Sequence, residues 1–380
     1  LLGSDPALAL MRDVTYGEND MTQQLPTKTI DLALQGGGSH GALTWGVLDR
    51  ILEDERLEIS GISGTSAGAM NAVVLAQGFH HGGRDGAREA LATFWRAVSD
   101  AARFSPVQRN LWNRLTGNFN LDRSPGYLFF DNLTRLFSPY ELNPLDMNPL
   151  RDLVASTVDF DRVNSCALPK IFVTATNVRT GQARVFTQPH LSVETIMASA
   201  CLPSVYQAVE IDGEAYWDGG YIGNPALHPL VDQTDCRDMV IVQINPMIRR
   251  ELPRTGRDIL NRVNEISFNS SLIKDLRAIQ LLHKLIEAEG IETERYRDMR
   301  VHLIHADEEL QGLASSSKLN AEWQFLSHLH QRGRAWAHRW LDENYDGLGV
   351  RSTFDLDALF VDSLQPVSAP EPSSAKGSTE

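Results

Sequence analysis

Between residues 29 and 79 the chain runs twice through the same pattern: a short apolar run, a glycine-rich turn, then an apolar stripe at helical spacing. Residues 29–34 (T-I-D-L-A-L) are apolar apart from Asp31, the composition of a strand covered on both faces. Leu43, Val47, Leu48, Ile51 and Leu52 fall on one side of a helical wheel and predict a helix over 42–56. A second strand is expected at 57–63 and a second helix at 66–78, followed by a glycine-rich loop at 80–86 and a helix at 87–102. From 104 to 149 the pattern breaks. Aromatic residues and prolines crowd among turn residues there, and two readings stay open: a satellite apolar cluster under a long loop, or a lid or acyl-chain surface.

Regular pattern returns with a helix at 149–157, strands at 170–177 and 184–186, a helix at 192–200 and a short strand at 215–217. A buried strand follows at 239–245, then a long helical stretch at 257–289, a strand at 300–305 and a closing helix at 319–343. Strands alternating with helices predict an α/β layer architecture with a mainly parallel central sheet. The organisation expected is a mobile N-terminal arm (1–28), a catalytic domain (29–245) carrying the aromatic-rich insertion (104–149), a mostly helical part packed on it (246–345), and a disordered tail (364–380).

Composition narrows the function classes. The formal net charge of −14 argues against a nucleic-acid partner and opposes long-range attraction to anionic membranes. The three cysteines (Cys166, Cys201, Cys236) have neither metal-ligand nor disulfide spacing. No window approaches the roughly 20 apolar residues of a transmembrane helix, and no secretory signal is visible at the N-terminus. The expectation is a cytoplasmic protein, able to work at the periphery of a membrane or lipid particle. It is expected to need no metal and no cofactor.

The chemistry concentrates in three glycine-framed turns. Gly36-Gly37-Gly38-Ser39-His40-Gly41 leaves backbone N–H groups unobstructed for an anion, while Gly64-Thr65-Ser66-Ala67-Gly68 is a G-x-S-x-G elbow that lifts a serine hydroxyl out on a tight strand-to-helix bend. In Trp217-Asp218-Gly219-Gly220 a carboxylate stands at a strand end. The first turn also fits a dinucleotide fingerprint, but no acidic residue ends the second strand to hold a ribose. The α/β-hydrolase reading of the elbow fails on length, since only one clear strand precedes Ser66. None of the eleven histidines sits in a turn suited to a catalytic base.

These motifs resemble the patatin-like phospholipase family. The resemblance rests on G-G-G-S-H-G at 36–41, G-T-S-A-G at 64–68 and D-G-G at 218–220, in that order. A-T-N-V-R-T-G at 175–181, A-S-A-C-L-P at 198–203 and G-N-P at 223–225 support it. It implies a three-layer α/β/α sandwich and hydrolysis of lipid acyl esters by a Ser–Asp dyad without metal. Ser66 is then the nucleophile, Asp218 the base, and the N–H groups of Gly37 and Gly38, with Gly36, the oxyanion hole. His40, Gly41, Gly64, Gly68, Gly219 and Gly220 frame these turns. His40 departs from the family's usual Arg or Lys at its position, so a fixed charge beside the glycine turn is replaced by a titratable ring.

The leading expectation is therefore a serine acyl-ester hydrolase of phospholipase A or lysophospholipase type, with a lipid or ester substrate. Alternatives are a carboxylesterase on short-chain, neutral-glyceride or polyester substrates, or an acyltransferase; a non-catalytic binding protein ranks last, because Ser66 and Asp218 are both present.

Overall fold

The computed structural model describes residues 27–249, 251–290, 297–305, 310 and 312–360. The expected arm up to residue 26 and tail from 364 lie outside the described residues. The apolar run before the glycine turn forms β1 (Lys28–Leu34), and the stripe after it forms α1 (Gly41–Glu53). β2 (Leu57–Gly64) leads through the elbow into α2 (Ala67–Ala101). Four short helices and one intermediate one follow: α3 (Leu111–Leu115), α4 (Pro125–Leu136), α5 (Pro139–Leu142), α6 (Pro149–Thr157) and α7 (Phe160–Ser165). Next come β3 (Lys170–Asn177), β4 (Ala183–Thr187), α8 (Val193–Ser199), β5 (Val209–Ile211) and β6 (Glu214–Asp218). The described chain continues with α9 (His228–Gln233), β7 (Asp238–Val242), α10 (Gly256–Glu289), β8 (Arg300–Ile304), α11 (Trp323–Asn344) and α12 (Leu356–Phe360).

Eight strands make one mixed sheet in the order β5-β6-β3-β2-β1-β7-β8, with β4 also on β3. The centre is parallel: β1 pairs with β2 and β7, β2 with β3, and β7 with β8. The β3–β4, β3–β6 and β5–β6 pairs are antiparallel. Alternation along the strands separates two cores. Ile30, Leu32 and Leu34 of β1 join a large cluster with α1, α2, α8 and α11. Ala33, Met239, Ile241 and Val301 face the other way, against Leu272 and Leu276 of α10 and Leu230 of α9. Helices thus cover both faces of the sheet, as the near-continuous apolar strands require.

α11 lies close along α1. A Cβ placed on Gly46 would come within 2.0 Å of the His330 carbonyl oxygen, and one on Gly333 within 2.0 Å of the Leu43 carbonyl oxygen, so the two backbones touch where they cross. Trp45 stacks on His330 beside this crossing, with ring centroids 3.9 Å apart.

Three features differ from the pattern-based expectation. The glycine-rich segment 80–86 is not a loop: α2 runs through it, broken only by non-helical angles at Gly82 and Gly83. Arg84 in that segment donates to the Asp54 carbonyl at 3.0 Å and to the Leu57 carbonyl, tying the second half of α2 to the end of α1. Among the described side chains of the 104–149 insertion no separate buried cluster forms, against the first of the two readings left open for it. No side chain of α4 is buried, and Trp112, Phe129 and Leu136 are 63%, 69% and 77% exposed. Finally β5, α7 and α9, each six residues or shorter, carry too little periodicity to be read from the sequence.

Candidate active site

The register of β3 brings the second and third turns together. Its residues Phe172–Thr176 pair with β4 along one edge, so β2 and β6 must share the other edge. β2 climbs that edge until Gly64 lies opposite Val173, and β6 descends it until Asp218 lies opposite Ala175. The two strand ends meet head to head across a single residue of β3, Thr174. Residues more than 150 positions apart in sequence become neighbours through this one junction.

Ser66 occupies the bend with φ 54° and ψ −120°, a conformation disfavoured for a side-chain-bearing residue and typical of functional turns. It is the one partly exposed residue between Gly61 and Ala76. Its own N–H donates to Ser199 Oγ at 2.9 Å, which holds the strained peptide from the α8 side. Gly64 and Gly68 flank the bend, and α2 starts directly behind Ser66, directing the positive end of its dipole at the hydroxyl.

The glycine turn passes over this elbow so closely that a Cβ on Gly36 would lie 2.8 Å from Ser66 Cβ. Gly38 takes φ +57° and begins a 3₁₀ turn, Gly38–His40, that leads through Gly41 into α1. A ring of buried amides fixes the turn from beneath. Gly36 N–H donates to Asn224 Oδ1 at 2.7 Å, and Gly36 C=O accepts from Asn245 Nδ2 at 2.7 Å. Gln35 ties the ring together. Its Oε1 accepts from the Ile244 and Asn245 N–H groups at 2.9 Å, and its Nε2 donates to the Asn224 carbonyl and Asn269 Oδ1 at 3.2 and 3.0 Å. The Gly36 amide is therefore spoken for. Among the described residues the N–H groups of Gly37 and Gly38 have no acceptor, which narrows the expected anion-binding pair to these two.

Asp218 is 1% exposed and closes β6, with Gly219 and Gly220 opening the next 3₁₀ turn. Its Oδ1 accepts the Gly220 N–H at 2.7 Å. Burial pushes the carboxyl up to about 6, while the hydrogen bond from the Gly220 N–H, the neighbouring Ser66 hydroxyl and the positive charge of Lys318 pull it back. Among the described residues no imidazole is bonded to Ser66 or Asp218. The buried histidines are engaged elsewhere: His302 with Asp238 and Thr353, His40 with Ser317. Burial, with Lys318 and Arg249 nearby, drives the His40 ring down to about 3, so it is neutral at pH 7. It does not stand in for a fixed cation.

Ser199, Asn224, Asn245 and Lys318 also build this arrangement, through hydrogen bonds to backbone or to each other. Ser199 and Asn224 lie within the A-S-A-C-L-P and G-N-P segments, which gave them no role of their own, and Asn245 and Lys318 had no readable signal in the sequence. The described residues contain no group of His, Cys, Asp and Glu able to hold a metal ion, and no helix long and apolar enough to cross a membrane.

Residues 32–231 match the family described as patatin-like phospholipase, just over half of the chain. No curated protein sequence matches it. Two solved structures are similar at 14% identity. One is VipD from Legionella pneumophila, with a TM-score of 0.40, covering 84% of this chain and 67% of that one. The other is full-length ExoU, in complex with SpcU, from the type III secretion system of Pseudomonas aeruginosa, with a TM-score of 0.33, covering 86% of this chain and 54% of that one.

Proposed function

The chain belongs to the patatin-like phospholipase family, and on that premise we propose that it is a serine hydrolase of lipid acyl esters working through a Ser66–Asp218 dyad. The observation that carries this reading is a buried carboxylate that closes β6 where β2 runs out into the Ser66 bend, with its pKa pushed up to about 6. A carboxylate at its ordinary pKa is too weak a base for an alcohol. One raised towards neutrality is better matched to proton transfer and still ionised at pH 7.

In this mechanism Asp218 takes the proton from Ser66 as Oγ attacks the ester carbonyl. Negative charge develops on the carbonyl oxygen, where the Gly37 and Gly38 N–H groups and the N-terminus of α2 stabilise it. Asp218 then gives the proton to the leaving alcohol, and water repeats the sequence on the acyl-enzyme. The rigidity this needs is supported by the amide ring under Gly36, since donors already held in place need not reorganise as the charge develops.

The exposed apolar side chains of α3 and α4 favour a lipid substrate presented at a surface over a small soluble ester. With a net charge of −14, a neutral or zwitterionic surface is the better match than an anionic one.

The test is hydrolysis of a p-nitrophenyl ester series and of phospholipid by wild type, Ser66→Ala and Asp218→Asn, with organophosphonate labelling. Ser66→Ala is expected to be inactive and unlabelled, and Asp218→Asn slower by roughly 10²–10⁴-fold. Activity of Ser66→Ala within about tenfold of wild type, or a label on another residue, would sink the assignment.

A further inference from the structure

Lys318 lies in the 3₁₀ segment Ser315–Leu319, next to the Ser317 hydroxyl that bonds His40 Nε2 at 2.8 Å. Its backbone abuts the glycine turn: a Cβ on Gly38 would come within 2.5 Å of the Lys318 carbonyl oxygen. Its Nζ donates to Asn245 Oδ1 at 2.6 Å, and Asn245 in turn holds the Gly36 carbonyl. The Nζ also stands 5.8 Å from the centre of the Phe268 ring, whose other neighbour, at 5.3 Å, is Tyr221 in the turn after Asp218. This side chain therefore touches the supports of both functional turns.

The charges around it decide which partner it serves. Glu265 on α10 is nearby, but its carboxylate is already paired with Arg249 and Arg262. Among the described residues Lys318 itself has no ion pair. Asp218 is left as the carboxylate without an arginine. Among the described residues the groups facing Asp218 are the Ser66 hydroxyl, the Gly220 N–H, the Cys201 thiol, the Tyr221 phenol and Lys318, and Lys318 is the cation that acts on it.

We propose that Lys318 is the positioning cation of this site: its ammonium favours the ionised Asp218 that proton transfer from Ser66 requires, and it steadies the glycine turn through Asn245. This role presupposes the Ser66–Asp218 dyad proposed above. Lys318 lies outside the stretch that matches the family, so the charge is delivered to the site from the C-terminal third of the chain. Burial brings the ammonium down to about 8, Glu265 and Asp218 raising it and Arg249 lowering it further. The ammonium is therefore charged across the acidic and neutral range and is lost above it.

The experiment is the pH profile of kcat/KM on a soluble p-nitrophenyl ester for wild type, Lys318→Met and Lys318→Arg. Removing the cation raises the Asp218 pKa, so the acid limb of Lys318→Met should move to higher pH. The deficit against wild type is expected to reach roughly tenfold on the acid side. It should narrow above pH about 8, where the wild-type ammonium is itself lost. Lys318→Arg keeps the limb in place. A deficit of the same size at every pH would make Lys318 a prop for the glycine turn only and overturn the proposal, as would a displaced limb in Lys318→Arg. Should Lys318→Met not fold, Lys318→Cys alkylated with 2-bromoethylamine restores an ammonium on the folded protein, whose own cysteines are all buried. Return of the limb on alkylation supports the role, and an unmoved limb overturns it. An active Ser66→Ala would remove the dyad and this role together, whereas an inactive one with an immobile acid limb removes this role alone.

Discussion

At the scale of single residues, Asp218 carries two opposed pH dependences. Burial raises its carboxyl from 3.8 in the unfolded chain to about 6 in the folded one. Between those values the folded state keeps a proton that the unfolded state has released. The stability linked to this group is then full below about pH 4 and is lost as pH rises to about 6. Activity in the proposed mechanism rises through the same window, because the base must be ionised. Asp218→Asn is therefore expected to gain about 1–3 kcal/mol of stability at pH about 8 and little at pH about 4, while losing turnover. Urea unfolding at the two pH values checks this, and an equal gain at both would count against the buried, ionised base. Asp31 offers a control away from the chemistry. Burial pushes it up to about 7, Thr234 donates to one oxygen, and among the described residues its Oδ1 has no partner. Asp31→Asn should give the same stability signature with turnover unchanged.

At the scale of elements, a short strand and a glycine turn are enough to present the Ser66 hydroxyl, whereas α4 is a helix that contributes no buried side chain. It starts cleanly, with Pro125 at its first turn, yet buries none of its side chains. A helix with so little tertiary support keeps an apolar face in water only at a cost, which contact with a lipid surface would relieve. Replacing Phe129 and Leu136 together by Ala should change stability by no more than about 0.5 kcal/mol, because both are mostly exposed. The same change should lower hydrolysis of phospholipid vesicles several-fold and leave a soluble short-chain ester unaffected. Equal losses on both substrates would show that α4 shapes the site itself instead of docking it.

At the scale of the whole molecule, the part after residue 245 is woven into the sheet and the site. β8 pairs with β7, α11 covers α1 with backbone contact at Gly46 and Gly333, and Ser317 and Lys318 reach the glycine turn. A chain ending at residue 245 would leave the β7 edge open and uncover Trp45 and its neighbours on α1. It is expected to lack a cooperative thermal transition, which circular dichroism would read. A cooperative, active fragment would support the boundary at 245/246 that the sequence suggests. What the sequence determined by itself is local: apolar runs that must be covered on both faces, and glycines that let Ser66 stand out on its bend and Gly36 lie against it. Those constraints depend on neighbours within a few residues, so they are legible in one dimension. The kink that replaced the 80–86 loop depends on Arg84 finding carbonyls at the end of α1. The meeting of Ser66 with Asp218 depends on two strands sharing one edge of β3. Asn245 and Lys318 join the site through hydrogen bonds across large sequence separations, with no periodicity or turn chemistry to announce them. Only the tertiary structure decided these, because a lone polar residue shows what it can bond to and not what the fold brings within reach.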